Sequence, residues 1–459
     1  MPRRPGRACA LALGLVLAAA GTARAQGVSL NRAGSGARAA GMGDAFVAVS
    51  DDGTAASWNP AGLAQLRQPE LSLVYVVSER GLGLSALRSP DDRYLYSATA
   101  LNTTNASVDF ASAALPFSLA RRPVTVQVGW QRLYQLSNVF GGDFDRYLAG
   151  QPDVAAGSVV LEDRLTGDID VLSTAAALKL TSRAAVGASL DFWRGGWVNR
   201  LTLDEEPGEG GPTAFFDNRG RADLRGHTVK VGLLLTYPSW NAGLVYHWPF
   251  WSRFDIRSDV RSTVAPREVA EAHGARFRLP RSVAGGLAWR LAHGWTVSAA
   301  LTHDQWSDAL LDRIPGMPGR VNFFDGLPPA LTTTRDTLSV NLGAEHLFVR
   351  DGVVVPLRMG LGWEPQGPMH PVVRDPVDYL LVSAGAGYNT NRVKIDAAVQ
   401  YRRASYRTGT VLSVGTALDD RVPDAVGRAG NHEWRVKVSA IYRIQDTARL
   451  REILRRIFG

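Results

Sequence analysis

Segments in which apolar and polar residues alternate with period two recur along this chain, and beyond residue 25 no window approaches 18 consecutive apolar residues. Val393, Ile395, Ala397, Val399 and Tyr401 alternate with Lys394, Asp396, Ala398, Gln400 and Arg402. Trp434, Val436, Val438, Ala440 and Tyr442 alternate with Arg435, Lys437, Ser439, Ile441 and Arg443, and similar runs start at Val124 and Leu338. Period two is the signature of a strand with one apolar face. Without a long apolar run, no helix can span a bilayer, and the remaining way to close every backbone hydrogen bond in lipid is a barrel. A soluble sandwich also alternates, so connection lengths must decide. Strands are expected near 70–79, 107–118, 123–134, 169–181, 184–194, 226–237, 240–251, 280–291, 294–304, 336–347, 354–364, 379–389, 392–402 and 432–443, fourteen in all. A strand-like run at 93–102 is assigned to the first long loop, with extension of a neighbouring strand as the alternative. The short joints at 119–122, 182–183, 238–239, 292–293, 348–353 and 390–391 alternate strictly with long ones. That rhythm belongs to an up-and-down transmembrane barrel with short turns at one end and long loops at the other. The fold class is therefore all-β, a transmembrane up-and-down antiparallel β-barrel of about 14 strands. Tyr237, Trp240, Trp289 and Trp295 flank short turns, and Tyr134, Trp193, Trp251 and Trp306 lie near the opposite strand ends. They are expected to form two aromatic girdles at the membrane interfaces.

Residues 1–25 are expected to be a secretory signal peptide. Arg3, Arg4 and Arg7 make a positive start, Ala8 to Ala20 is apolar, and Ala23-Arg24-Ala25 is a cleavage site. Cys9 is the one cysteine, so the exported chain has neither a disulfide nor a thiolate metal site. The four arginines of this leader bring the net charge from +8 to +4, which does not suit a nucleic-acid partner.

Residues 26–68 do not alternate. They are rich in Gly and Ala, running through Gly41-Met42-Gly43-Asp44-Ala45-Phe46 and the turn Asp51-Asp52-Gly53 to Ser57-Trp58-Asn59-Pro60-Ala61-Gly62. Such a composition suits a small unit with close backbone contacts. This block resembles the N-terminal hatch of the FadL/TodX family of outer-membrane transporters, whose signature is the triplet matched by Asn59, Pro60 and Ala61. The blocks Leu279-Pro280-Arg281-Ser282-Val283 and Pro356-Leu357-Arg358-Met359-Gly360 are similar to the same family. The resemblance implies a fourteen-stranded barrel with an N-terminal hatch. It implies passive uptake of long-chain fatty acids or other hydrophobic small molecules in the cell outer membrane. It also implies gating by hatch movement about Asn59, Pro60, Ala61 and Gly62, with release sideways through the wall. The N-terminal block also resembles the PorV/PorQ proteins, which implies an alternative function as a scaffold in protein secretion.

The expected organisation is a signal peptide (1–25), a hatch inside the barrel (26–68), the barrel (69–445) and an amphipathic basic C-terminal helix (446–459). In that helix Leu450, Ile453, Leu454 and Ile457 share one face. The chain carries no zinc-protease or nucleophile-elbow motif, so no enzyme, metal or cofactor is expected. Arg435, Lys437, Lys394 and Arg402 should point into the lumen, where one or two of them could hold a carboxylate headgroup. Phe215, Phe216, Leu310, Leu311, Phe323 and Phe324, assigned to long loops, suggest a greasy capture site. The expected partners are a hydrophobic ligand and outer-membrane lipid, and the expected state is a monomer.

Overall fold

A computed structural model describes residues 32–208, 211–314, 319–367, 376–410 and 425–445. The signal peptide, the first residues of the N-terminal block and the C-terminal helix lie outside the described residues. The strands are β1 (Glu70–Arg88), β2 (Tyr94–Tyr96), β3 (Thr99–Leu119), β4 (Arg122–Gln135), β5 (Asn138–Leu148), β6 (Gln151–Lys179) and β7 (Ala184–Pro207). They continue as β8 (Ala214–Thr236), β9 (Trp240–His247), β10 (Phe250–Ser262), β11 (Glu268–Leu279), β12 (Ser282–Arg290), β13 (Trp295–Asp304) and β14 (Leu310–Asp312). The last are β15 (Val321–Asn322), β16 (Thr337–Arg350), β17 (Val353–Pro365), β18 (Asp378–Asn389), β19 (Val393–Thr410) and β20 (Ala425–Arg443).

Antiparallel pairing runs β1, β3, β4, β6, β7, β8, β9, β12, β13, β16, β17, β18, β19, β20 and returns to β1, a closed wall of fourteen strands. Closure is made by β20 against β1, in register from Glu70↔Arg443 to Ser85↔Arg428. A closed wall leaves no edge to aggregate or to sit unsatisfied in lipid. Each of the fourteen expected segments is one of these strands.

Alternation sorts the side chains as expected. On β7, Ala185, Ser189, Asp191 and Trp193 are buried inward, whereas Ala188, Leu190 and Phe192 face out. Leu73, Val128, Leu301, Leu342, Leu361 and Val436 are among the exposed apolar residues that make the outer face a hydrophobic belt. This is what a membrane-spanning barrel presents to lipid.

Three expectations need correction. First, 135–168 and 195–225 are largely strand, not loop. A tilted strand crosses a bilayer in about 9–11 residues, but β6 and β7 have 29 and 24. They extend far past the belt, and β8 pairs with β7 from Leu235 to Ala214. Above Phe192 charged side chains take many of the outward positions, and they pair across strands, as in Arg200–Asp217 (3.2 Å), and along one strand, as in Arg221–Asp223 (2.8 Å). Water can cover such a face; lipid cannot. Second, the run at 93–102 includes β2, which bridges β1 and β5 in this extension. Third, the long-loop girdle is built differently. Tyr134, Trp193 and Trp306 are buried inside the barrel, whereas Phe192, Trp248, Trp363 and Trp434 are exposed on the outer face. At the short-turn end Trp289 and Trp295 are exposed, and Tyr237 stacks on Trp240 with ring centroids 4.3 Å apart.

Residues 32–66 are almost wholly buried. Short turns, Ala37–Gly41, Ala55–Trp58 and Pro60–Gln65, fold them into a compact unit. Its backbone carbonyls accept hydrogen bonds from inward side chains on many strands: Gln127 of β4 to Gly53, Asn241 of β9 to Ala48, Asn341 of β16 to Gly43, Ser383 of β18 to Gly41 and Gln400 of β19 to Ala40. Partners on opposite sides of the wall place the segment across the lumen.

Candidate functional site

The interior holds three zones. The outermost is apolar, with Leu84, Phe140, Phe144, Leu203 and Phe216 packed together. Next comes a cluster dominated by aromatic rings: Tyr134, Trp193, Trp197, Phe250, Phe254, Phe277, Trp306, Phe323 and Phe324. Phe254 is its hub, with Trp197 at 5.6 Å, Phe277 at 5.9 Å and Phe323 at 6.0 Å between ring centroids. The cluster forms where β10 continues the line of β9 beside β8, β11 pairs with β10, and β14 pairs with β11. Rings at tilted or edge-to-face angles, as here, add to the gain from burial alone.

Beneath these rings lies the N-terminal segment. Arg32 is the contact between the two zones. Its guanidinium sits 5.8 Å from the centre of the Trp193 ring, and its Nη2 donates to the Pro280 carbonyl at 2.7 Å. Nε and Nη1 of Arg32 are buried, and the Tyr134 hydroxyl lies within hydrogen-bonding reach of the guanidinium. Arg32, Asp304, Ser282, His247 and Trp58 line a small cavity of about 50 Å³ between the segment and the wall.

The segment is clamped at two places. Arg38 donates to both carboxylate oxygens of Glu345 (3.0 and 2.9 Å) and pairs with Asp51. Glu345 also accepts from Arg358 (2.6 Å), and Arg358 from its other side reaches Asp396 (2.8 Å). These are buried charges on β16, β17 and β19, so each needs its partners. At the second place, Asn59 Nδ2 donates to Val47 O within the segment and to Leu233 O on β8, both at 3.1 Å. Its Oδ1 accepts from Ala61 N at 3.0 Å, capping the turn that Pro60 begins. Gly62 is required beside it, since a β-carbon there would lie 2.2 Å from Ser50 O.

The wall makes room for this unit. A β-carbon on Gly187 would fall 2.4 Å from the Pro60 carbonyl carbon, on Gly232 2.0 Å from Asn59 Oδ1, and on Gly360 2.1 Å from Gly43 N. Gly inside a strand marks a close backbone approach, and this was the available sequence signal for where the segment docks.

The residues singled out from the sequence fall as follows. Asn59, Pro60, Ala61 and Gly62 are all buried at the second clamp. Arg402 is held by Glu364 (3.0 Å) and Glu433 (2.9 Å), Arg435 by Glu433 (3.0 Å) and Lys437 by Asp109 (3.3 Å). Lys394 is near the short-turn end, within electrostatic reach of Asp52 and Glu70. These cations face the interior, and carboxylates of the chain already compensate Arg402, Arg435 and Lys437. Leu311, Phe323 and Phe324 belong to the aromatic cluster and Leu310 is also buried, so they do not stand on an exposed loop surface. Phe215 and Phe216 lie on β8 rather than in a loop; Phe215 faces outward and Phe216 joins the outermost apolar zone. Arg32 and the ring cluster were missed. Among the described residues, no group of three or more His, Cys, Asp or Glu could hold a metal ion.

No family model and no curated protein matches the sequence. Solved structures do. A FadL homologue of Pseudomonas aeruginosa superposes with a TM-score of 0.63 at 16% identity, covering 91% of this chain and 99% of that one. Its fold is that of the FadL and TodX channels. The Pseudomonas putida toluene transporter TodX gives a TM-score of 0.58 at 14% identity over 90% of this chain and 99% of its own. The CymD monoaromatic hydrocarbon channel gives 0.56 at 15% identity, covering 90% of this chain and 98% of that one. At these identities the FadL-type likeness establishes the architecture, and the chemistry must be argued from the residues of this chain.

Proposed function

We propose that the protein is an outer-membrane channel for passive uptake of hydrophobic small molecules, with residues 32–68 acting as its hatch. The observation that carries this reading is the stack of zones in the lumen. An apolar mouth leads to a cluster of aromatic rings, and the rings rest on the Gly- and Ala-rich segment that lies across the passage below. Apolar cargo would leave water for the ring cluster. It could go further only if the segment shifted, with the Asn59-Pro60-Ala61-Gly62 turn as the natural hinge. The FadL homologue supports the reading through its shape, and TodX and CymD through their shape and the cargo in their names.

Within this class, uncharged molecules suit the site better than fatty acids. Arg402, Arg435 and Lys437 are each engaged by an internal carboxylate. A carboxylate headgroup would have to displace one of these or use Arg32 beneath Trp193. Trp193, Trp197 and Trp306 in the cluster provide the readout. Titrating the detergent-solubilised protein with toluene should change its tryptophan emission saturably. Phe254→Ala, which removes the hub ring, should weaken that binding about two- to tenfold, the worth of an aromatic contact. If no uncharged hydrophobic probe gives a saturable change, the cargo reading fails and a scaffold of the PorV kind becomes the better account.

A further inference from the structure

The outer wall has a concave patch that the cargo route does not use. It lies toward the short-turn end, across β4, β6, β7, β8 and β9, and encloses about 800 Å³. Its sides are Leu119, Val124, Ala176, Ala188, Val231 and Leu244, and its floor includes Gly187 and Gly232. Small residues face outward, and the two glycines are those that let Asn59 and Pro60 press against the wall from inside.

The rim of the hollow is charged, and with one sign. Arg121, Arg122, Lys179 and Arg183 stand exposed on the two adjoining short turns, and Arg122 lines the groove itself. No Asp or Glu occurs in 111–130, 171–190 or 226–248, the stretches that build this part of the wall. None of these four cations has a carboxylate partner among the described residues. In the long-loop extension Arg200, Arg219, Arg221, Arg253, Arg257 and Arg267 each have an acidic neighbour, whereas Arg194, Arg225 and Arg276 have no ion pair among the described residues. Arg183 is further held over the Tyr237 ring at 5.0 Å, and Tyr237 stacks on Trp240 at the interface level.

An apolar groove that ends at unpaired cations at headgroup depth matches one ligand chemistry. We propose that this patch binds an anionic phospholipid of the leaflet at the short-turn end. An acyl chain lies in the groove, and the phosphate is met by Arg121, Arg122 and Arg183. Basic side chains near a membrane surface attract anionic lipid, and guanidinium groups suit phosphate oxygens. The proposal rests on the barrel spanning a membrane and is independent of what the lumen carries.

The test uses the full chain, delipidated in mild detergent and given equal amounts of phosphatidylglycerol and phosphatidylcholine with identical acyl chains. Bound lipid is counted by native mass spectrometry, and folding is checked by heat-dependent migration on a gel. The wild type should retain phosphatidylglycerol in preference. Neutralising the rim (Arg121→Gln, Arg122→Gln, Arg183→Gln) should erode that preference by up to about fivefold per arginine. Arg350→Gln, on another short turn, should leave it intact. Ala188→Trp, which fills the groove, should reduce retention of both lipids. Single Arg122→Gln serves if the triple variant does not fold. Equal retention of the two lipids by the wild type would overturn the proposal. So would a wild-type preference in the rim variants, or undiminished lipid in Ala188→Trp.

Discussion

Replacing Asn59 by alanine removes three hydrogen bonds from a fully buried side chain: those to Val47 O, Leu233 O and from Ala61 N. Two of the groups left behind, the carbonyl of Val47 and the N–H of Ala61, belong to the segment. A net hydrogen bond is worth about 1 kcal/mol and an orphaned buried group costs about 1–3 kcal/mol. The lost cap adds to this, so docking of the segment should weaken by about 2–4 kcal/mol. The barrel wall keeps its own ladder and should stay folded. At about 1.4 kcal/mol per tenfold change, amide hydrogens of the segment should exchange roughly thirty- to several-hundred-fold faster while strand amides keep their protection. Hydrogen exchange read by mass spectrometry on the detergent-solubilised protein measures both at once. Asn59→Asp sharpens the test. It is nearly the same shape and keeps an acceptor for Ala61 N, yet it puts a buried carboxylate against two carbonyl oxygens. It should loosen the segment at least as much as alanine does. Wild-type exchange in the alanine variant, or an aspartate variant that behaves like the wild type, would refute the assignment of Asn59 as the clamp.

Two further expectations follow from the charges. Arg358→Met should destabilise the protein by about 3–5 kcal/mol, because Glu345 and Asp396 lose their shared buried partner; chemical unfolding of the barrel should show this, and an unchanged midpoint would mean that the cluster is not a clamp. Arg32→Gln should weaken binding of a long-chain fatty acid at least tenfold, the worth of a charge-assisted contact, while toluene binding measured by tryptophan emission changes less than threefold. An equal effect on both would show that Arg32 positions Trp193 rather than meeting a headgroup.

The wall was legible in the sequence because lipid imposes a rule on every outward side chain inside the belt. Val393 to Tyr401 and Trp434 to Tyr442 therefore read as strands with one apolar face, and the rhythm of short and long joints decided for a barrel over a sandwich. The rule lapses above the belt, where outward positions are wet. There β6, β7 and β8 still alternate, but with Arg200, Asp217 and Arg221 on the outer face, and charged outward positions resemble loop composition. Position along a strand also misled where parity should have decided. Trp193 sits at the right height for a girdle, but it shares its face with Ser189 and Asp191, both buried inward. The pairing of luminal charges was invisible for another reason. Arg80 meets Glu433 across 353 residues of sequence, and only barrel closure brings β1 beside β20. The ring cluster stayed hidden in the same way, since Trp193, Phe254 and Phe323 come from distant segments that the pairing of β10 with β8 and of β11 with β14 brings together.

The central claim is that the lumen passes hydrophobic molecules under control of the N-terminal segment. The most direct measurement is uptake of radiolabelled toluene, and of a labelled long-chain fatty acid, by outer-membrane vesicles carrying the wild type or the Asn59→Ala, Pro60→Ala variant, alongside mass spectrometry of lipids extracted from both purified proteins. The account expects uptake of the hydrocarbon above that of empty vesicles, hydrophobic compounds co-purifying with the wild type, and an altered uptake rate in the variant while the barrel stays folded. Uptake no faster than through empty vesicles, from a folded barrel that retains a secreted protein instead, would contradict it.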